Sequence, residues 1–344
     1  MNKKNKKVRV GLIGLGEQML DNLLPSILLT NNCEIISICD ISALVLKEIG
    51  EKLHVENLYS DYTKMITTES IDVIFVASTP KVHYDVIKLC IENKIAVFVE
   101  KPPVRNILEL KNILELNSQN ILIGVGMNFS YSDSHNSIIE LINDKDFGKL
   151  SSITIEHLSS KPIEPFWNFD SIIESFLLAQ LIHPLDYLLR MGGKFSKINV
   201  FCSKNIQPFF LSVVVEFENG IVGHIKSGSF YPRFRHQIEI TSENGNIINV
   251  DDLSKVEVTT KNIDLPFNIN PNKCNIISHK SPLKSGYSSA GYSNEVTLFL
   301  KSYLENIPFE TNLKSMINTY YALTEIHEKI LKITTPLEQC ILSN

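Results

Sequence analysis

The sequence of 344 residues has no pair of cysteines at the spacing of a zinc site or a redox dithiol. Its six cysteines (33, 39, 90, 202, 274 and 340) are scattered along the chain. They read as reduced thiols of a cytoplasmic protein, with no metal site. No apolar run approaches the length of a membrane span, so no membrane partner is expected. Neither sign of charge dominates. The net charge is −5 with 21% charged residues, which implies no polyanionic partner such as a nucleic acid. The local exception is the basic arm Lys3-Lys4-Asn5-Lys6-Lys7. Gly11 and Gly14 interrupt what would be an apolar signal region after it, so it reads as a solvated terminus. Internal repeats are absent. What is present is an ordinary globular composition, 44% hydrophobic, in a chain long enough for two domains.

The stretch that organises the chain is Val97-Phe98-Val99-Glu100-Lys101-Pro102-Pro103. Strand-forming residues end in a carboxylate, an ammonium and two prolines that cannot donate to a sheet ladder. Lys101 therefore stands at the carboxyl end of a strand, where open α/β sheets bind ligands. The plain alternative is a solvated lysine in a strand-to-loop turn.

The preceding residues alternate strand and helix. Val8–Ile13 reads as a strand, and Gly14-Leu15-Gly16 as a tight turn into a helix from about Glu17 to Thr30. Pro25 should kink or divide that helix. Strand, glycine turn and helix together suit a pyrophosphate at the helix N-terminus, with Met19 replacing the third glycine of GxGxxG. A second strand, Glu34–Cys39, ends at Asp40, 24 positions after Gly16. An acid there accepts from ribose hydroxyls and repels a 2′-phosphate, which favours NAD over NADP. The alternative role for Asp40, capping the next helix, can be filled by Ser42. The apolar run Ile71–Ala77 suits a central parallel strand and leads into Ser78-Thr79-Pro80-Lys81-Val82-His83. A helix from about His83 to Glu92 returns to the Lys101 strand. The alternation over 1–123 predicts a doubly wound parallel sheet of Rossmann type.

These pieces resemble the Gfo/Idh/MocA family of oxidoreductases. The matching elements are Gly11-Leu-Ile-Gly14-Leu-Gly16, Asp40, Asp61-Tyr62, Ser78-Thr79-Pro80-x-x-His83 and Glu100-Lys101-Pro102. The resemblance implies that Gly14, Leu15, Gly16, Asp40, Ser78, Thr79, Pro80, His83, Glu100 and Lys101 bind the cofactor. It places Lys101 near nicotinamide and substrate. Lys81 departs from the family's usual Asn.

Residues 124–344 are expected to form an α+β domain on a large, mostly antiparallel open sheet. Strands are predicted at 152–156, 197–201, 211–217, 223–229, 237–241, 246–250 and 255–260. Two Asn-Gly turns, at Asn219-Gly220 and Asn244-Gly245, join some of them. In the family the open face of this sheet carries subunit contacts, which implies a homodimer or homotetramer. Asn128, in Asn128-Phe129-Ser130, resembles the end of the family's crossover strand but lacks its Arg. A helix from Ile172 to about Met191 carries Ala179-Gln180-Leu181-Ile182-His183-Pro184 and Asp186. Positions 179, 183 and 186 share a helix face, where the family has Asp, His and Asp. Here Ala179 replaces the first. The resemblance makes His183 the proton carrier; otherwise it is a core histidine. Trp167 either walls a pocket or packs in the core. Arg233 and Arg235 suit an anion or an ion pair. Tyr292, in a Gly/Ser-rich loop over 285–293, borders the site or simply links helices. Asn128, Trp167, Gln180, His183 and Tyr292 are the candidate substrate contacts.

The reading implied is an NAD-dependent oxidoreductase acting on a sugar, cyclitol or related small molecule. Two alternatives stay open: a cofactor-binding sensor without turnover, and a reductase of an imine or non-sugar keto group.

Overall fold

A computed structural model of the protein describes residues 7–204, 208–261, 270, 272–279 and 286–341, with side chains up to 334. The arm residues Lys3, Lys4, Asn5 and Lys6, Ser285 of the Gly/Ser loop and the side chain of Cys340 lie outside them. The strands are β1 (Val8–Ile13), β2 (Cys33–Cys39), β3 (Asn57–Tyr59), β4 (Val73–Val76), β5 (Ala96–Glu100), β6 (Ile123–Gly126), β7 (Leu150–Leu158), β8 (Phe195–Cys202), β9 (Phe210–Phe217), β10 (Val222–Gly228), β11 (Arg235–Ser242), β12 (Ile247–Asp251), β13 (Lys255–Thr259) and β14 (Cys274–His279).

The chain divides into two compact units. The first comprises Met1–Asn128 and Gly286–Ile317; the second comprises Phe129–Ser285 and Asn318–Asn344. The expected single boundary after residue 123 is thus replaced by a crossing after Asn128 and a return at Gly286. The reason lies in packing. Strand β6 pairs with β5 and would otherwise be a bare edge. Thr311 covers it: Val125 N–H donates to its carbonyl at 2.7 Å, and its hydroxyl donates to Val125 O at 2.9 Å. Phe299 and Phe309, from the returning segment, close a ring cluster with Phe75 and Phe98, centroids 5.2–5.8 Å apart for the contacts of Phe299. All four rings are buried, each worth roughly 1.5–3 kcal/mol of transfer free energy.

In the first unit the sheet order is β3-β2-β1-β4-β5-β6, with every pair parallel. The strand order reverses between β1 and β4, the crevice where such sheets hold dinucleotides. In the second unit the order is β14-β13-β12-β11-β7-β10-β9-β8. Among the described residues only β7 and β10 run parallel there; the other pairs are antiparallel. In the second unit the helical stretch Ile172–Gly192 packs on one face of this sheet, against β7 and β10. This stretch corrects the expectation about apolar runs, because its 21 residues are long and apolar enough to cross a membrane. Its most apolar window of 18 residues is 83% buried, as for a core helix.

Candidate active site

In the first unit the sequence-predicted residues converge on the carboxyl ends of β1, β4 and β5. Gly14 has φ +78°, and a Cβ there would lie 2.2 Å from Ala77 O, so only glycine fits between β1 and the end of β4. Gly16 is the opposite case. A Cβ on it would meet nothing within 4 Å, so the space over it is open to a ligand. The Asp40 carboxylate braces the turn: Oδ2 accepts from Leu15 N at 2.8 Å and Oδ1 from Ser42 N at 2.9 Å. Ser42 caps the Ala43–Leu53 helix through Val45 N, so Asp40 keeps its remaining lone pairs for a ribose.

The helix after the turn is not uniform. Met19–Leu23 is a π-helical turn and Leu24–Leu28 is α-helical. The Leu24 N–H bonds Met19 O, five residues back. Met19, at the position of the third glycine, is fully buried, and the widened turn houses its side chain. Pro25, which has no N–H to give, sits in the first turn of the α-helical part.

Thr79 caps the helix Pro80–Asn93 through Val82 N, with Pro80 in its first turn, so that helix begins three residues earlier than expected. His83 is fully buried. Its Nε2 accepts from Ser78 N at 2.8 Å, and its Nδ1 therefore carries the proton and donates to Pro102 O at 2.8 Å. Burial pushes its pKa down to about 4, against the pull of the Pro102 carbonyl. His83, expected as a cofactor contact, has both ring nitrogens bonded within the protein and ties the Ser78 turn to the Lys101-Pro102 turn.

Glu100 is buried, while Lys101 after it is half-buried. Glu100 accepts from Gln18 Nε2 at 2.9 Å and from Lys101 N at 3.2 Å. Burial raises the Glu100 pKa, opposed by Lys101 and Gln18, and lowers that of Lys101, opposed by Glu100. Tyr292 opens the helix Tyr292–Glu305 rather than lying in a loop, and its hydroxyl accepts from Gln18 Nε2 at 3.1 Å. Asn128 is buried, with its amide donating to Ala290 O at 2.9 Å. That bond ties β6's exit to the returning segment. Gln18 is the functional neighbour that sequence reasoning missed; a polar residue beside a glycine turn looks merely solvated.

In the second unit the helix expected as continuous contains another π-helical turn, Leu177–Leu181, followed by Ile182–Gly192. Ile182 N–H bonds Leu177 O, and Pro184 leaves Gln180 O without its usual helical donor. Such turns recur at functional sites. His183 is buried and its ring stacks on Phe129, centroids 4.6 Å apart and planes 22° apart. Gln180 Oε1 accepts from His157 Nε2 at 3.2 Å. His157 Nδ1 lies 3.1 Å from His236 Nδ1, within hydrogen-bonding distance. Burial drives the fully buried His236 well below the ordinary imidazole value. His157 and His236 were not legible as partners, since they lie 79 residues apart on adjacent strands. Asp186, expected on the face of His183, accepts from Arg190 at 2.6 Å and Thr319 at 2.8 Å, bonds that fasten the helix. Trp167, half-buried with φ +56°, sits edge-on to Phe166 and Phe169. Arg235 pairs with Glu156 at 2.6 Å, so the ion-pair reading fits it.

Residues 8–129 match the profile of the Gfo/Idh/MocA oxidoreductase family, NAD-binding Rossmann fold, and residues 135–248 match that family's C-terminal domain. The chain belongs to the Gfo/Idh/MocA family. Among relatives of this Gfo/Idh/MocA protein, myo-inositol 2-dehydrogenase of Thermotoga maritima is 24% identical over 231 residues, 66% of this chain and 65% of that protein. Inositol 2-dehydrogenase of Salmonella typhimurium (strain LT2) is 21% identical over 184 residues, 53% of each. The chain thus spans between half and two thirds of the length of these relatives. A dehydrogenase from Chromobacterium violaceum superposes with TM-score 0.90 at 25% identity, covering 98% of both chains. Levoglucosan dehydrogenase in complex with NADH and L-sorbose has the same fold, with TM-score 0.80, 16% identity and coverage of 96% and 98%. The family's NAD fits the first unit as it stands. The open space over Gly16 admits a pyrophosphate, and the Asp40 carboxylate at the end of β2 suits a ribose.

Proposed function

We propose that the protein is an NAD-dependent dehydrogenase or reductase of a sugar, a cyclitol or a related polyhydroxylated intermediate. The observation that carries this reading is the tie made by His83. It joins the Pro102 carbonyl, one residue after Lys101, to the Ser78 turn beside the strand-order reversal. The inositol dehydrogenase relatives support a cyclitol or sugar substrate. Gly14, Leu15, Gly16, Asp40, Ser78, Thr79 and Pro80 hold the cofactor. When bound, NAD supplies the nicotinamide that takes or gives the hydride.

Lys101 stabilises negative charge developing on the substrate oxygen as the C–H bond breaks. His183 takes the hydroxyl proton in oxidation and returns it in reduction. Gln180 and Trp167 contribute substrate contacts. Copies of the chain associate through the outward face of the eight-stranded sheet, which exposes Phe201, Phe210 and Val222; sedimentation as a monomer at working concentration would refute that. The activity is tested by incubating the protein with NAD+ and a panel of inositols, aldoses and keto sugars while following NADH absorbance. Turnover of a polyol is expected. Tight NAD(H) binding with no turnover in either direction would replace this reading by a cofactor-binding sensor.

A further inference from the structure

Gln18 lies two residues after Gly16 and bridges three elements. Its Oε1 accepts from Asn22 Nδ2 at 3.1 Å, which fixes the amide's orientation. The NH2 group then points to Glu100 Oε1 at 2.9 Å and to the Tyr292 hydroxyl at 3.1 Å. The reverse orientation would set the amide oxygen against a carboxylate. Space around that carboxylate is tight, since a Cβ on Gly126 would lie 3.0 Å from it. The titratable groups facing the pair come from three elements. Lys101 follows Glu100 just past the end of β5, Tyr292 and Glu295 come from the helix Tyr292–Glu305, and His83 faces Lys101 from the helix Pro80–Asn93.

We propose that Gln18 is a positioning residue for Lys101: its amide keeps Glu100 ionised, and ionised Glu100 keeps Lys101 a cation. The inference rests on the role given to Lys101 above. A buried carboxylate takes up a proton unless donors hold its charged form. Gln18 supplies one donor and the Lys101 backbone N–H another. Losing the first neutralises Glu100 at higher pH, and Lys101 then lacks the opposite charge that offsets its burial. The glycine turn that receives the cofactor and the lysine that polarises the substrate are thereby joined through one side chain.

The test uses Gln18→Met, which keeps the length and removes the amide. Lysines of the NAD-loaded protein are reductively 13C-methylated, and the Lys101 resonance is identified by its loss in Lys101→Arg. The Lys101 titration midpoint is expected to fall by about one pH unit, a tenfold change in proton affinity. The alkaline limb of kcat for substrate reduction should move the same way, with KM for NADH within about threefold. In a Glu100→Gln background, Gln18→Met should cause no further shift. An unchanged Lys101 midpoint in Gln18→Met, or a further fall in the Glu100→Gln background, would overturn the proposal. A midpoint that falls while the kcat profile stays fixed supports the role of Gln18 and removes Lys101 from the chemistry, so the two failures are distinguishable. If Gln18→Met does not fold, Gln18→Asn, whose shorter amide does not reach Glu100, takes its place.

Discussion

Single residues here serve two functions at once, and the hydrogen bonds separate them. Asp40 braces the glycine turn with one lone pair on each oxygen and keeps the others for a ribose. NAD(H) should therefore bind more tightly than NADP(H). Asp40→Ser should narrow the difference by about tenfold, since one charge near a 2′-phosphate is worth at least 1 kcal/mol. Equal affinities in the wild type, measured by titration calorimetry, would contradict this. His83 is a strut, and its linkage to pH has a definite sign. The unfolded chain takes up a proton below 6.5, whereas the folded protein does so only near 4. The stability it allows is complete above 6.5 and is lost as pH falls towards 4, by about 3 kcal/mol. Urea unfolding at pH 7.5 and 4.5 should show a larger loss in wild type than in His83→Asn. His183 lacks the carboxylate that the family pattern places at position 179. His183→Ala should lower turnover strongly, and Ala179→Asp should extend carbonyl reduction to higher pH by holding the imidazole protonated. A rate and pH profile unchanged in His183→Ala would make the histidine a packing residue.

At the scale of elements, much of the architecture was legible in the sequence. The runs around Val10, Ile74 and Phe98 are apolar on both faces, as strands buried under helices must be, and they became β1, β4 and β5. Thr79 before Pro80 and Asn-Gly turns between alternating runs carry equally local signals. The two π-helical turns were not legible, because an added residue per turn only drifts the apolar stripe of a helix that is apolar nearly all round. Strand β14 was missed since it is half-exposed throughout and lacks a clean alternation. The return of Gly286–Ile317 to the first unit was hidden for a different reason. Phe299 and Phe309 look like any core aromatics, and nothing local says which core. Gly124 records that packing: a Cβ there would approach Phe299 to 2.6 Å. The ring is wedged by Phe75, Phe98 and Phe309, so Gly124→Ala should destabilise the protein by about 1–3 kcal/mol in denaturant unfolding. A variant as stable as wild type would show that the cluster yields.

On the scale of the whole molecule, the first unit is built from two separated stretches of chain, and so is the hydrogen-bonded cluster around Glu100. Gln18, Glu100 and Lys101 come from the first stretch and Tyr292 from the second. The cluster can therefore be complete only in a chain that has returned, and the proposed chemistry rests on Lys101. The most direct measurement is single-turnover hydride transfer, followed by NADH absorbance after mixing NAD+-loaded protein with a substrate polyol, in wild type and Lys101→Ala. Truncating the part-exposed Lys101 side chain leaves little cavity, so the variant should stay folded, with the buried Glu100 taking up a proton more readily once its partner charge is gone, and bind NAD+ within about threefold of wild type. Its transfer rate should fall by about 10²–10³, the effect of removing one donor to a developing oxyanion. A Lys101→Ala protein that transfers hydride at the wild-type rate would contradict the account.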